Sequence, residues 1–179
     1  TVLADIAGAV TISNCGSIKV EKTDDATQPL AGAVFTLYES GVIEGFQPGD
    51  DDPIATDPNG AAQTCTTGAD GTCIIDDILF GEYWLDETTV PANYDKAAGV
   101  PTEVTVSSTA QVTVGPFVNP RQRGSIIVEK VLDGTSTRID GAAFAIDADG
   151  NPETTDDQTS IPAVSGETGL FCIDNLLYD

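Results

Sequence analysis

The segment YWLDETTVPANY, residues 83–94, alternates apolar and polar residues and then turns. A strand sends successive side chains to opposite faces, so Tyr83, Leu85 and Glu87 share one face. The first two mark that face as the buried one. The third is a carboxylate, and burying a carboxylate is costly unless a partner compensates it. The segment therefore predicts a strand, and it raises the question of what Glu87 meets.

The rest of the chain reads the same way. IKVEK (18–22), VFTLYE (34–39), TCII (72–75), EYWLDE (82–87), TEVTVS (102–107) and AQVTV (110–114) alternate or are β-branched, with Gly, Asp, Asn and Pro between them. No segment keeps a helical period for three turns. Short strands joined by turns predict an all-β, Ig-like antiparallel β-sandwich. Two segments, 41–60 and 146–165, are long, acidic and rich in Gly, Pro and Asp, and are expected as surface excursions.

The chain also repeats itself. GSIKVEK (16–22) returns as GSIIVEK (124–130), LAGAVF (30–35) as IDGAAF (139–144), and DGTCIIDDILFGEYW (70–84) as ETGLFCIDNLLYD (167–179). The order is kept, which indicates a duplicated domain. Three regions follow: 1–15 as the final strand of a preceding domain or a donor strand, 16–120 as a complete domain, and 121–179 as the N-terminal part of a second one.

Composition excludes several functions. Twenty-nine acids against seven bases give a net charge of −22, which argues against nucleic acid and anionic membranes as partners. No apolar run is long enough to insert in a membrane. Histidine is absent, which removes Ser-His-Asp and Cys-His catalysis and the usual zinc ligand sets. Cys65 and Cys73 flank the turn-rich TTGADGT, which suits a hairpin disulfide and an oxidising, extracellular setting. The partners of Cys15 and Cys172 are open.

Glu87 has company. Ile18 and Val20 share a face that continues to Lys22, and Phe117 is followed on its face by Asn119. Ile126 and Val128 lead likewise to Lys130, and Val10 and Ile12 to Asn14. Singly, each has an ordinary explanation: a lysine reaching to water, a rim carboxylate, a turn former before Pro120. Jointly they describe a reaction. A buried lysine loses its proton readily and becomes a nucleophile. A carboxyl group in the same apolar pocket keeps its proton, hydrogen-bonds the Asn carbonyl and shuttles a proton to the leaving group. The product is an amide between Lys22 and Asn119, with loss of ammonia, promoted by Glu87 and needing no cofactor.

GSIKVEK, LAGAVFTLYE, FGEYWLDETTVPANY and VTVGPFVN together resemble the Cna B-type (SpaA-type, prealbumin-like) domains of Gram-positive pilins and adhesins. The resemblance covers 16–119 fully and 124–179 in part. It implies tandem prealbumin-like antiparallel β-sandwiches, in which a lysine closing the first strand bonds an asparagine near the end of the last. The glutamate of a Y-x-L-x-E-T-x-x-P-x-x-Y box catalyses that bond. By position these are Lys22, Asn119 and Glu87. One departure is Asn93, where the family often has glycine before the final tyrosine of the box; asparagine tolerates the left-handed turn. The implied protein is a structural extracellular fibre, pilus or stalk component at the cell surface. It is not an enzyme beyond one autocatalytic turnover. Its partners are neighbouring copies of itself or flanking domains, and Asn14 and Lys130 are candidates for bonds to them.

The alternative is a cell-surface adhesin module that binds a host or matrix ligand through its acidic loops. GDDD (49–52) and DADG (147–150) offer carboxylates to calcium, but neither completes an EF-hand loop, so no metal is expected. No motif sets an acid and a base about a cleft, as a glycosidase requires.

Overall fold

A computed structural model of the chain describes residues 14–49, 51–144, 146 and 161–177. The described residues contain nine strands: β1 (Cys15–Asp24), β2 (Val34–Glu39), β3 (Thr64–Thr66), β4 (Thr72–Leu79), β5 (Gly81–Thr89), β6 (Thr102–Val106), β7 (Gln111–Asn119), β8 (Arg123–Glu129) and β9 (Leu170–Leu177). The chain divides into two compact units between Arg121 and Gln122. No helix among the described residues is long and apolar enough to cross a membrane.

The first unit is a β-sandwich. One sheet has the order β4-β1-β7 and the other β3-β2-β5-β6. Period-two alternation places Ile18 and Val20 of β1, Ile75 and Ile78 of β4 and Phe117 of β7 inside, with Phe35 and Leu37 of β2, Leu85 of β5, and Val104 and Val106 of β6 in the same core. The pairing is antiparallel except between β1 and β7, which run parallel. The first and last strands of the unit are thus neighbours pointing the same way.

Bulges in β4 and β7 keep this core in register. β4 carries an extra residue opposite Gly16 and Ile18, with Asp77 at φ 57°. That lets both Ile75 and Ile78 face inward although they are three apart. β7 gains a residue between Val114 and Phe117, opposite Val20 and Lys22. Gly115 makes this possible: it lies at φ 102°, and a Cβ there would sit 2.4 Å from the Glu21 carbonyl oxygen.

The disulfide between Cys65 and Cys73 forms, but it does not close a hairpin. β3 and β4 belong to different sheets, so the bond ties one sheet to the other. Segment 41–60 is also more than a surface excursion. The Asp52 carboxylate is buried and accepts the Gly41 N–H at 2.7 Å and the Gln47 N–H, while Asp51 accepts from Ile43 at 3.1 Å. Phe46 packs on Tyr38 and Trp84. Asp51 and Asp52 thus spend their carboxylates on backbone amides of the loop.

The second unit contains the β8-β9 pair and a small core of Ile161, Phe171 and Ile173, with Phe144 edge-on to Phe171 at 5.0 Å. Residues 1–13, which hold most of the strand expected within 1–15, and the DADG motif lie outside the described residues.

Candidate functional site

Three buried polar side chains stand out against the apolar core of the first unit. Lys22 is 1% exposed, Glu87 1% and Asn119 0%. Each is placed by a strand. In β1 the even residues face inward, so Lys22 follows Ile18 and Val20 into the core. In β5 the odd residues face inward, so Glu87 follows Tyr83 and Leu85. Asn119 depends on the bulge. Before it, Val112 and Val114 lean toward the core; after it, Phe117 and Asn119 do. Were residues 114–119 to alternate strictly, with no bulge to absorb one of them, Asn119 would turn outward.

Glu87 and Asn119 touch, and Lys22 reaches the strand that carries Asn119. The Asn119 amide nitrogen donates to Glu87 Oε1 at 2.8 Å, and the Ala97 backbone N–H donates to Glu87 Oε2 at 3.0 Å. Lys22 Nζ donates to the Phe117 carbonyl at 2.9 Å, two residues before Asn119 on the neighbouring strand, and to the Thr23 carbonyl at 3.2 Å. Glu87 pairs across the sheet with Phe35, whose ring lies 5.4 Å from that of Phe117. Burial pushes the Lys22 ammonium below the ordinary lysine value of 10.5, and the charges of Glu87 and Asp24 pull it part of the way back. Asp24 is occupied in the turn after β1, where it accepts the Ala26 and Gln28 N–H groups at 2.8 Å each.

Asn119 Oδ1 is buried with no hydrogen-bond partner. Leaving a buried carbonyl unsatisfied costs about 1–3 kcal/mol. This orphan is the oxygen that a proton donor would polarise in an acyl transfer. Turning the amide over exchanges Oδ1 with Nδ2 and brings the carbonyl to Glu87.

The other residues singled out in the sequence are elsewhere. Asn14 is exposed, and its carbonyl accepts the Phe80 N–H at 3.1 Å. Lys130 is exposed in the second unit, with its backbone in a turn that bonds to Gly169 and Ile139. Cys15 and Cys172 are partly buried free thiols. Asn93 adopts φ 68°, the left-handed conformation that the family box fills with glycine. The Ala97 N–H has no sequence signal, because a backbone donor leaves no mark in residue type. Among the described residues no three His, Cys, Asp or Glu side chains gather to hold a metal.

Comparison with known proteins places the fold. A model of the SpaA family, a prealbumin-like fold domain, matches residues 16–116. Among solved structures, the TIE protein of Bacillus anthracis superposes with a TM-score of 0.66 at 21% identity, covering 92% of this chain and 26% of that one. A streptococcal ancillary pilin superposes with a TM-score of 0.51 at 22% identity, covering 94% of this chain and 52% of that one. The chain therefore spans about a quarter and about half of these two proteins, and the likeness is one of fold. A search of curated protein sequences returns no match. With more than half of its length matched by the family model, the chain belongs to the SpaA prealbumin-like family.

Proposed function

We propose that this chain is a load-bearing module of an extracellular fibre or pilus, stapled by an amide bond between Lys22 and Asn119. The observation that carries the reading is the burial of Lys22, Glu87 and Asn119 against the apolar core, with Glu87 and Asn119 2.8 Å apart. Three such groups are expensive to bury, and an amide bond replaces an ammonium and a primary amide with a single neutral group.

The chemistry follows from the positions. A proton passed from the Lys22 ammonium to the Glu87 carboxylate leaves a neutral amine and a carboxylic acid; Nζ then attacks Asn119 Cγ while Glu87 donates to the carbonyl oxygen. A proton from the attacking amine passes through Glu87 to Nδ2. The Nζ–Cγ bond forms, the Cγ–Nδ2 bond breaks, and ammonia leaves with Glu87 restored. The fold supplies the proximity that a bimolecular reaction lacks. The reaction occurs once per domain, so the chain is a structural protein and not an enzyme that turns over.

The parallel pairing gives the bond its mechanical meaning. Lys22 and Asn119 lie toward the C-terminal ends of adjacent parallel strands. Tension entering β1 at Cys15 runs to Lys22, crosses to Asn119 and leaves the unit. Residues 23–118 then carry no load. Closing a loop of roughly 100 residues also contributes about 4–5 kcal/mol by the loop-entropy estimate. Pilins among the structural neighbours and the disulfide between Cys65 and Cys73 support a cell-surface, oxidising location.

An intact mass on reduced protein, followed by peptide mapping, tests this. The expected result is a deficit of one ammonia, a cross-linked peptide joining Lys22 to Asn119, and a full mass in Glu87→Ala. A full mass in the wild-type chain would overturn it. The adhesin reading is second, and Val42 and Ile43, exposed in the loop after β2, favour it. Its test is whether a Val42→Asp, Ile43→Asp double substitution abolishes surface attachment while the ammonia deficit persists.

A further inference from the structure

An ion pair beside the candidate site has no evident role in the fold. Lys96 Nζ donates to Asp86 Oδ2 at 2.9 Å and lies 2.7 Å from Oδ1. Asp86 is buried and Lys96 half-exposed. In sequence, Asp86 precedes Glu87 and Lys96 precedes Ala97, the residue whose N–H holds Glu87.

The segment 94–97 touches both halves of the site. At one end Tyr94 bridges to Arg121, and the Asp95 N–H donates to the Pro120 carbonyl at 2.9 Å, so the segment grips the chain just past Asn119. At the other end the Ala97 N–H reaches Glu87 Oε2. Ala97 is itself buried in the core. The Lys96 side chain returns to β5 one residue before Glu87, on the opposite face of that strand.

We infer that Lys96 and Asp86 form a latch that holds segment 94–97 against β5, so that the Ala97 N–H occupies Glu87 Oε2 and leaves Oε1 to Asn119. Both are positioning residues, acting through Glu87 and not on the reacting atoms. The inference rests on the proposed bond between Lys22 and Asn119. Magnitudes say where the effect shows. A half-exposed ion pair contributes little to global stability. A reacting group displaced by about 1 Å can lose roughly a hundredfold in rate. The latch therefore governs how fast the bond forms, not whether the sandwich folds.

The test refolds the full chain from unfolded, unreacted protein and follows ammonia loss by mass against time, with Trp84 fluorescence reporting folding in the same sample. Lys96→Ala and Asp86→Ala are expected to fold at the wild-type rate and to lose ammonia at least about tenfold more slowly. Lys96→Arg, which keeps the charge, is expected to restore most of the rate. In a Lys22→Ala background, where no bond forms, adding Lys96→Ala should speed hydrogen exchange at the Ala97 amide by more than any fall in global stability accounts for. Ammonia loss in Lys96→Ala at the wild-type rate would overturn the latch and leave the bond standing. Equal slowing in Lys96→Ala and Lys96→Arg would also overturn it, because charge pairing would then not be the cause. No ammonia loss in the wild-type chain would overturn the bond itself, and the latch with it.

Discussion

β1 and β8 carry nearly the same heptapeptide, GSIKVEK and GSIIVEK, and each pairs with its partner strand in the same way. Gly16 faces Ile78 and Ile18 faces Ile75, with an extra residue between; Gly124 faces Leu176 and Ile126 faces Ile173, with the same extra residue. Asp77 and Asn175 hold the two bulges at φ 57° and 70°. The Lys22 N–H donates to Gly71 and the Lys130 N–H to Gly169, both at 2.8 Å. Yet Ile18 is 0% exposed and Ile126 43%, and Lys22 is buried where Lys130 is exposed. The difference is what covers the strand. β1 has β7 on its other edge and a four-stranded sheet against its inner face; among the described residues β8 pairs with β9 alone. Local sequence therefore sets pairing, bulge and turn, while the chemistry available to the terminal lysine is set by strands far away in the chain.

The largest expected effect separates those two lysines. Lys22→Ala should abolish the ammonia deficit and lower unfolding stability by roughly 4–5 kcal/mol, the loop-entropy value of the bond. Lys130→Ala should keep the deficit and change stability by no more than about 0.5 kcal/mol. Intact mass with denaturant unfolding reads both. The bond should also show the environment of Lys22 in its pH dependence. Burial lowers the Lys22 pKa, and the reactive pair of neutral Lys22 and protonated Glu87 holds one proton, so the rate of ammonia loss falls once pH passes the lowered Lys22 value, below 10.5. A fall that begins only above 10.5 would mean that the amine reacts from water.

The same comparison can be made within the strands. Ile18→Ala opens a cavity in a closed core and should cost about 2–5 kcal/mol. Ile126→Ala removes a side chain already half in water and should cost less than about 1 kcal/mol. Hydrogen exchange resolves the units separately. Equal costs would mean that β8 is covered in solution by something beyond β9.

What the sequence made legible follows the same division. Strand positions could be read because alternation is local: all six segments taken as strands lie within or largely overlap β1, β2, β4, β5, β6 and β7. The inward direction of Tyr83, Leu85 and Glu87 was readable for that reason. β3 was not, since three residues carry no period. The parallel pairing of β1 with β7 was hidden because it joins residues about a hundred positions apart. The route of Asn119 into the core was only half visible. Phe117 and Asn119 share a face by alternation, but that this is the core face depends on Gly115, whose positive φ appears only in the fold. The acidic loop 41–60 looked solvated because charge alone does not show which carboxylates cap backbone amides, as Asp52 does.

The disulfide comes next in size. Cys65 and Cys73 are eight residues apart, and closing so short a loop contributes roughly 2–3 kcal/mol. Reduction should lower the stability of the first unit by that amount, less than loss of the amide bond, because the constrained loop is smaller. The second unit should not respond in hydrogen exchange. A loss as large as that of Lys22→Ala would mean that tying one sheet to the other matters more than loop length.

The smallest effect is expected at Cys172, and the reason is register. Cys73 faces Val20 in the β1-β4 pair, and its counterpart facing Val128 in the β8-β9 pair is Phe171. Cys172 faces Ile127, as Ile74 faces Lys19, so it lies one residue further on and on the opposite face. The two cysteines are neighbours in the repeat but not equivalents, and Cys172 is not a second copy of the sheet-to-sheet tie. Cys172→Ser should move stability by no more than about 0.5 kcal/mol. Its thiol is still informative. Burial raises its pKa above the ordinary 9.0, and the bond it donates to Asp174 at 3.4 Å adds to the shift. Thiolate is the reactive form. Below 9.0 the folded chain should therefore be alkylated at Cys172 more slowly than the unfolded chain, with the gap closing as pH rises past the raised value. Equal rates at neutral pH would mean that the thiol is fully solvated and that the β8-β9 pair leaves this face open.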